Sequence, residues 1–189
     1  MIDLILDHPI LSGLLVLILG AIVSLESKIG PRVAWPNRIR RRIWPLLHPV
    51  AAAVGRPLVR EKDASEYVCS VACSRVDLQR ALYAGGYRAN LLSTLKYVAA
   101  SSERTWERGS WAYRRPRRAT YMHHCYFFRA AEAEVTDHLN HHREINYLHS
   151  PGGHMGGERI PGDPDGHLET ALADADIDIE RFDAPDYVD

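Results

Sequence analysis

The 189-residue sequence predicts an α+β domain preceded by one membrane-spanning helix. Three observations carry this reading. An uncharged apolar run lies near the N-terminus. After residue 63 the chain alternates as strand, helix, several aromatic-rich strands, helix and strand. Charge is segregated, basic before the domain and acidic at its end.

The apolar run is ILSGLLVLILGAIVSL, Ile10–Leu25. At ~1.5 Å per residue it spans roughly 24 Å, and Leu4–Leu6 extend it toward the ~30 Å of a hydrocarbon core. Its N-terminal flank carries Asp3 and Asp7, and no small-residue cleavage site follows. The run therefore reads as an uncleaved anchor over 1–27 rather than a secretory signal. Lys28, Arg32 and Arg38 come next. By the positive-inside rule the N-terminus lies outside and the C-terminal domain in the cytoplasm.

Residues 28–62 form a basic, Pro-rich juxtamembrane segment, with nine basic residues against Glu61. Pro45, Pro49 and Pro57 argue against a second span, because an interior proline costs a helix ~3 kcal/mol. With Trp35 and Trp44 nearby, this segment is expected along the membrane interface. Arg38, Arg40, Arg41 and Arg42 would then face anionic lipid at ~1 kcal/mol each. The other end is opposite in sign: Asp163–Asp189 hold ten acidic residues against Arg181, ending in an acidic tail over 183–189. Such asymmetry predicts a surface contact at the basic end and a solvated tail. Cys69, Cys73 and Cys125 are odd in number and lack zinc-ribbon spacing, so they read as free thiols in a reducing compartment.

The soluble domain is predicted over 63–182. EYVCSVAC alternates as a strand does. Ser74, with Asp77 three residues on, starts a helix over RVDLQRALYA, and Gly85-Gly86 ends it. YRANLLSTLKYVAA, TWERGSWAYRR and ATYMHHCYFFRA read as three strands, and AEVTDHLNHHREINYLH continues the sheet. Past a Gly-rich loop, Asp163-Pro164 opens a second helix, in which Leu168, Ala171, Leu172 and Ala175 fall at i, i+3, i+4 and i+7. IDIERF adds a closing strand. This order predicts one antiparallel sheet with both helices on one face, a ferredoxin-like arrangement.

The histidines concentrate in 123–154, and two readings stand side by side. In one, residues 134–148 form a half-exposed strand whose polar face is His-rich. In the other, His123, His124, Cys125, His138 and His142 supply three or four ligands to zinc at ~2.0–2.3 Å across adjacent strands. Alternation sets His138 and His142 on one strand face with Glu144. The run H-L-N-H-H lacks the glutamate of H-E-x-x-H, and neither a phosphate-binding glycine motif nor G-x-S-x-G occurs. His154 and Glu158 are the reactive side chains of the Gly-rich loop. RRPRR, with Arg114, Arg115, Arg117 and Arg118, reads as a hairpin tip suited to phosphates of lipid or nucleic acid.

A helix ending in a Gly-Tyr turn, then a basic hairpin leading into ATYMHHCYFF, resembles the LssY C-terminal type of domain. That family is a soluble module attached to membrane proteins, so the resemblance implies membrane attachment and carries over no catalytic residue. The sequence thus points first to a membrane-anchored interaction domain with a protein partner and no assigned catalysis. The rivals are a membrane-tethered metal-dependent hydrolase using the 123–158 histidines with Glu144 or Glu158, and a nucleic-acid binder using RRPRR.

Overall fold

The computed structural model describes residues 35–187, except 54, 56, 91–92, 100–103, 118, 151–153, 155–158 and 184. The predicted span over 1–27 lies outside these residues. Among the described residues no helix is long and apolar enough to cross a membrane.

The chain enters through helix α1, Trp35–Ala53, and strand β1, Val59–Glu61. A 3-10 turn at Ala64–Glu66 leads into β2, Tyr67–Val71, and then α2, Arg75–Ala84. Five strands follow: β3 Tyr87–Ala89, β4 Leu95–Ala99, β5 Arg104–Trp106, β6 Gly109–Tyr113 and β7 Tyr121–Arg129. The last elements are β8 Asp137–Ile145, β9 Ile160–Pro161, α3 His167–Ala173 and β10 Ile179–Glu180. The larger sheet runs β10-β2-β8-β7-β6-β3 with β9 on β8, and each of its pairings is antiparallel. A smaller sheet, β1-β4-β5, contains the parallel pair β1–β4.

The α+β class and the two predicted helices are as expected. Ser74 caps α2 by accepting from the Asp77 backbone N–H, and Gly86 takes a positive φ of 95° just past its end. Asp163 accepts from the backbone N–H groups of Leu168 and Glu169 at the start of α3. Both helices cover one sheet face. Leu78, Leu82, Leu168 and Leu172 bury against Cys69, Val71, Cys125, Phe127 and Leu139, each large apolar side chain contributing ~1.5–3 kcal/mol. Gly109 is required here, because a Cβ would strike the Phe127 ring.

The sheet corrects the ferredoxin-like expectation. That arrangement sets the strands preceding its two helices side by side and parallel. Here β2 and β8 are neighbours but antiparallel. Two predicted strands are also broken. YRANLLSTLKYVAA divides into β3 and β4, which belong to different sheets, and TWERGSWAYRR divides where Glu107 turns toward α1.

The Pro-rich segment is a second correction. Residues 35–53 are helical despite Pro45 and Pro49, and β1 joins the small sheet, so the folded unit begins well before residue 63. Docking holds this helix. Arg40 forms an ion pair with Glu107, both side chains 1% exposed, and also donates to the Thr94 carbonyl. Trp44 donates to the Ser93 carbonyl, and His48 Nδ1 accepts from the N–H groups of Leu58 and Val59. Arg40 is therefore a buried structural charge and not a lipid contact. The outer face of α1 exposes Ile43, Leu46, Leu47 and Val50, with Arg41 and Arg42 beside them.

Candidate metal centre

The second face of the large sheet is buried and polar. Strand alternation places Ser110 of β6, Met122, His124, Tyr126 and Phe128 of β7, and His138, Asn140, His142 and Glu144 of β8 on it. The small sheet lies over this face, with the Lys96 ammonium of β4 5.4 Å from the Tyr126 ring centroid. The half-exposed strand expected from the sequence is thus corrected: His123, His124, His138, His141 and His142 are all buried. A buried polar face is costly unless its groups are paired, so the pairing reveals what each residue does.

Register pairs His124 directly with His142, and Glu144 lies two residues beyond on the same face. Three atoms converge. His124 Nδ1 is 3.3 Å from His142 Nε2 and 3.6 Å from Glu144 Oε1, and His142 Nε2 is 3.4 Å from Glu144 Oε1. Ligands at ~2.0–2.1 Å around a tetrahedral ion lie ~3.3–3.4 Å apart. An octahedral ion at similar radius would bring them to ~3.0 Å. The observed spacings of 3.3–3.6 Å lie nearer the tetrahedral value.

Hydrogen-bond direction fixes the tautomer of His124. The Asn90 carbonyl can only accept, so Ser93 O–H donates to it. Ser110 Oγ, 2.8 Å from Ser93 Oγ, then donates to Ser93 and accepts from His124 Nε2–H at 2.7 Å. The lone pair of His124 is left on Nδ1, facing the other two atoms. The far nitrogen of His142, Nδ1, faces Glu66 Oε2 at 3.0 Å, an ion-pair approach off the line of a good hydrogen bond. A carboxylate behind a histidine is the usual support of a metal-binding imidazole. Glu66 also accepts a short hydrogen bond from Tyr126 O–H. Glu144 keeps its second oxygen for Arg159 Nε at 3.3 Å.

The ionisation states differ between the two imidazoles: His124 is ready to ligate, whereas His142 favours a proton that an ion at Nε2 must displace. Burial, then the neighbouring His142, push His124 well below the usual histidine value, so it is neutral. Burial also opposes charging of His142, but Glu144 and Glu66 outweigh it and raise its pKa. Glu66 is held at about 2: burial acts against ionisation, and His142, Lys96 and Tyr126 overcome it.

A cavity of about 470 Å³ adjoins the cluster, lined by four cations, Arg60, Lys62, Lys96 and Arg159, and three acids, Glu61, Asp63 and Glu66, among others. Glu66 and Arg159 belong to both, so the triad lies one side chain behind the cavity wall. Lys96 is 2% exposed, and among the described residues no carboxylate lies within ion-pair distance of its ammonium. Burial lowers its pKa against the pull of Glu66.

Of the five metal ligands read from the sequence, His124 and His142 come together. Cys125 points to the opposite face, into the apolar core, where burial raises its thiol pKa well above normal. His123 shares that face and approaches Asp165 at 3.2 Å. His138 sits at the far end of β8 with both nitrogens engaged, Nδ1 by Ser70 Oγ and Nε2 by the Asp186 carbonyl. Two other His/Asp groups, His123–His141–Asp163 and His123–Asp165–His167, also converge. His141 is committed to the Gly162 carbonyl and Tyr87 O–H, and Asp165 to Arg143. His154 bonds the Ile145 carbonyl, with Glu144 Oε2 3.7 Å away, while Glu158 lies outside the described residues.

The hairpin tip forms as predicted, but Arg114 turns inward, donating to Asn90 and lying over Tyr147. Arg115 and Arg117 are exposed; Arg118 and the Arg38 side chain lie outside what is described. Glu66, Ser110, Lys96 and Arg159 had no signal in the sequence, since each joins the site through strand register or a loop. No protein-family model matches the chain, and no curated protein or solved structure matches it.

Proposed function

We propose that this chain is a metal-dependent hydrolase whose ion is bound by His124 Nδ1, His142 Nε2 and Glu144 Oε1. The observation that carries the reading is the convergence of these three atoms at 3.3–3.6 Å with the His124 lone pair directed among them. Two imidazoles and one carboxylate, with no thiolate, suit a catalytic zinc site, in which three protein ligands leave a position for water. When bound, such an ion supplies a water of pKa ≈ 7 and polarises the substrate. Ser110 and Glu66 orient the two imidazoles, and Arg159 holds the free oxygen of Glu144. Lys96 and Arg159 face the cavity, where substrate would enter.

The test is metal content of the dialysed full chain, then hydrolysis of ester substrates with and without added zinc. One ion per chain, lost in His124→Ala and His142→Ala together with zinc-dependent turnover, is expected. A folded wild-type protein that takes up no stoichiometric metal contradicts the proposal.

The outer face of α1 favours a second, compatible reading, attachment to a membrane interface. Leu46 is 77% and Val50 72% exposed, on a face shared with Ile43 and Leu47. Such a stripe with adjacent arginines is the pattern of a helix lying in the headgroup region. Burying the two most exposed side chains contributes ~2–4 kcal/mol, so Leu46→Asp/Val50→Asp is expected to weaken binding to anionic vesicles by ~30-fold or more. Undiminished binding by this variant would remove the reading.

A further inference from the structure

The cavity beside the triad has a chemistry of its own. Its floor holds a buried lysine, Lys96, whose ammonium has no carboxylate partner among the described residues although it is 2% exposed. A charge so placed is costly unless a partner arrives from the open side. The acids around the cavity are otherwise engaged or exposed: Glu61 and Asp63 also line it, but both face solvent and Asp63 accepts from Ser65. Glu66 is taken by His142 and Tyr126, and Glu144 by the two histidines and Arg159. Arg159 keeps its side chain 32% exposed at the cavity wall, and Arg60 and Lys62 line its rim. At about 470 Å³ the space is large enough for a compact charged group with part of its carrier.

We infer that this cavity binds a phosphate monoester, with Lys96 beneath its oxygens and Arg159 beside them. The substrate of the proposed hydrolase would then be a phosphorylated compound. This identification rests on the metal reading for its chemistry, but the binding of the anion does not. A multi-oxygen dianion fits because two cations meet it from different elements, one a compact ammonium and the other a planar fork that can grip two oxygens. The carrier is either a soluble ester or a lipid headgroup, since both present the same terminal phosphate.

The experiment is calorimetric titration of the full chain with inorganic phosphate and with glycerol phosphate, in the presence of a chelator and again with zinc. Flotation with vesicles containing phosphatidic acid, against vesicles of phosphatidylcholine alone, tests the lipid source. Wild type is expected to bind phosphate without metal. Lys96→Met and Arg159→Gln should each weaken it by about tenfold or more, the loss of one charge-assisted contact. Arg159→Gln changes a partly exposed residue and guards against misfolding of the Lys96 variant. His124→Ala should retain phosphate affinity while losing the metal. Preference for glycerol phosphate or for phosphatidic acid identifies the source, and either supports the inference. No phosphate binding by wild type, or binding unchanged in both cation variants, overturns it. If phosphate binds and no metal does, the hydrolase reading fails and the anion site stands.

Discussion

Glu66→Gln probes the metal centre without touching a ligand. The substitution preserves side-chain shape and the capacity to accept from Tyr126, and removes the charge beside His142 Nδ1. Glu66 stands 3.0 Å from His142 Nδ1, behind the ligating nitrogen, and losing such a supporting carboxylate costs ~10–100-fold in metal affinity, or ~1.4–2.7 kcal/mol. Zinc affinity measured by competition with a chromophoric chelator at neutral pH should fall by that amount. His142→Ala should lose far more, because it removes a ligand. Zinc affinity in Glu66→Gln equal to wild type would refute the argument that Glu66 orients and polarises His142. A loss as large as that of His142→Ala would show that Glu66 itself binds the ion.

Two further predictions concern the frame around the site. Glu107→Ala strands the Arg40 guanidinium in a buried position, and should cost ~3–5 kcal/mol in denaturant unfolding; the double change Arg40→Met/Glu107→Leu should recover most of it. A double variant no more stable than the single one would contradict this. Burial, against the pull of Arg108, raises Asp137 to about 6, so the folded state holds a proton that the unfolded state has released. Between pH ~4 and ~6 stability should therefore fall as pH rises, by about 3 kcal/mol in total, and level off above. Asp137→Asn should flatten that window in thermal melts, and an unchanged slope would reject the assignment.

Part of the site can be read directly from sequence alternation, which puts His142 and Glu144 on one strand face. Which member of the His123-His124 pair joins them depends on the pairing of β7 with β8, and a shift of one residue would exchange His124 for His123 and Cys125. No local pattern carries that register. Glu66 reaches His142 only because the turn at 64–66 folds over β8, and Ser110 reaches His124 only through the β6–β7 pairing. The two helices of the large sheet were legible because their caps and apolar spacing are local. Helix α1 was not, since its two prolines oppose helix formation and the contacts of Arg40, Trp44 and His48 that offset them come from residues 58–107. The same helix reverses the usual pattern, with polar residues inward and apolar ones outward, so its periodicity gave no sign of the side that docks.

The most direct measurement is a structure of the zinc-loaded full chain with anomalous scattering recorded at the zinc edge. One peak is expected ~2.0–2.1 Å from His124 Nδ1, His142 Nε2 and Glu144 Oε1. A peak on His123, Asp165 and His167 instead, or no peak in crystals grown with excess zinc, would contradict the assignment of the metal centre.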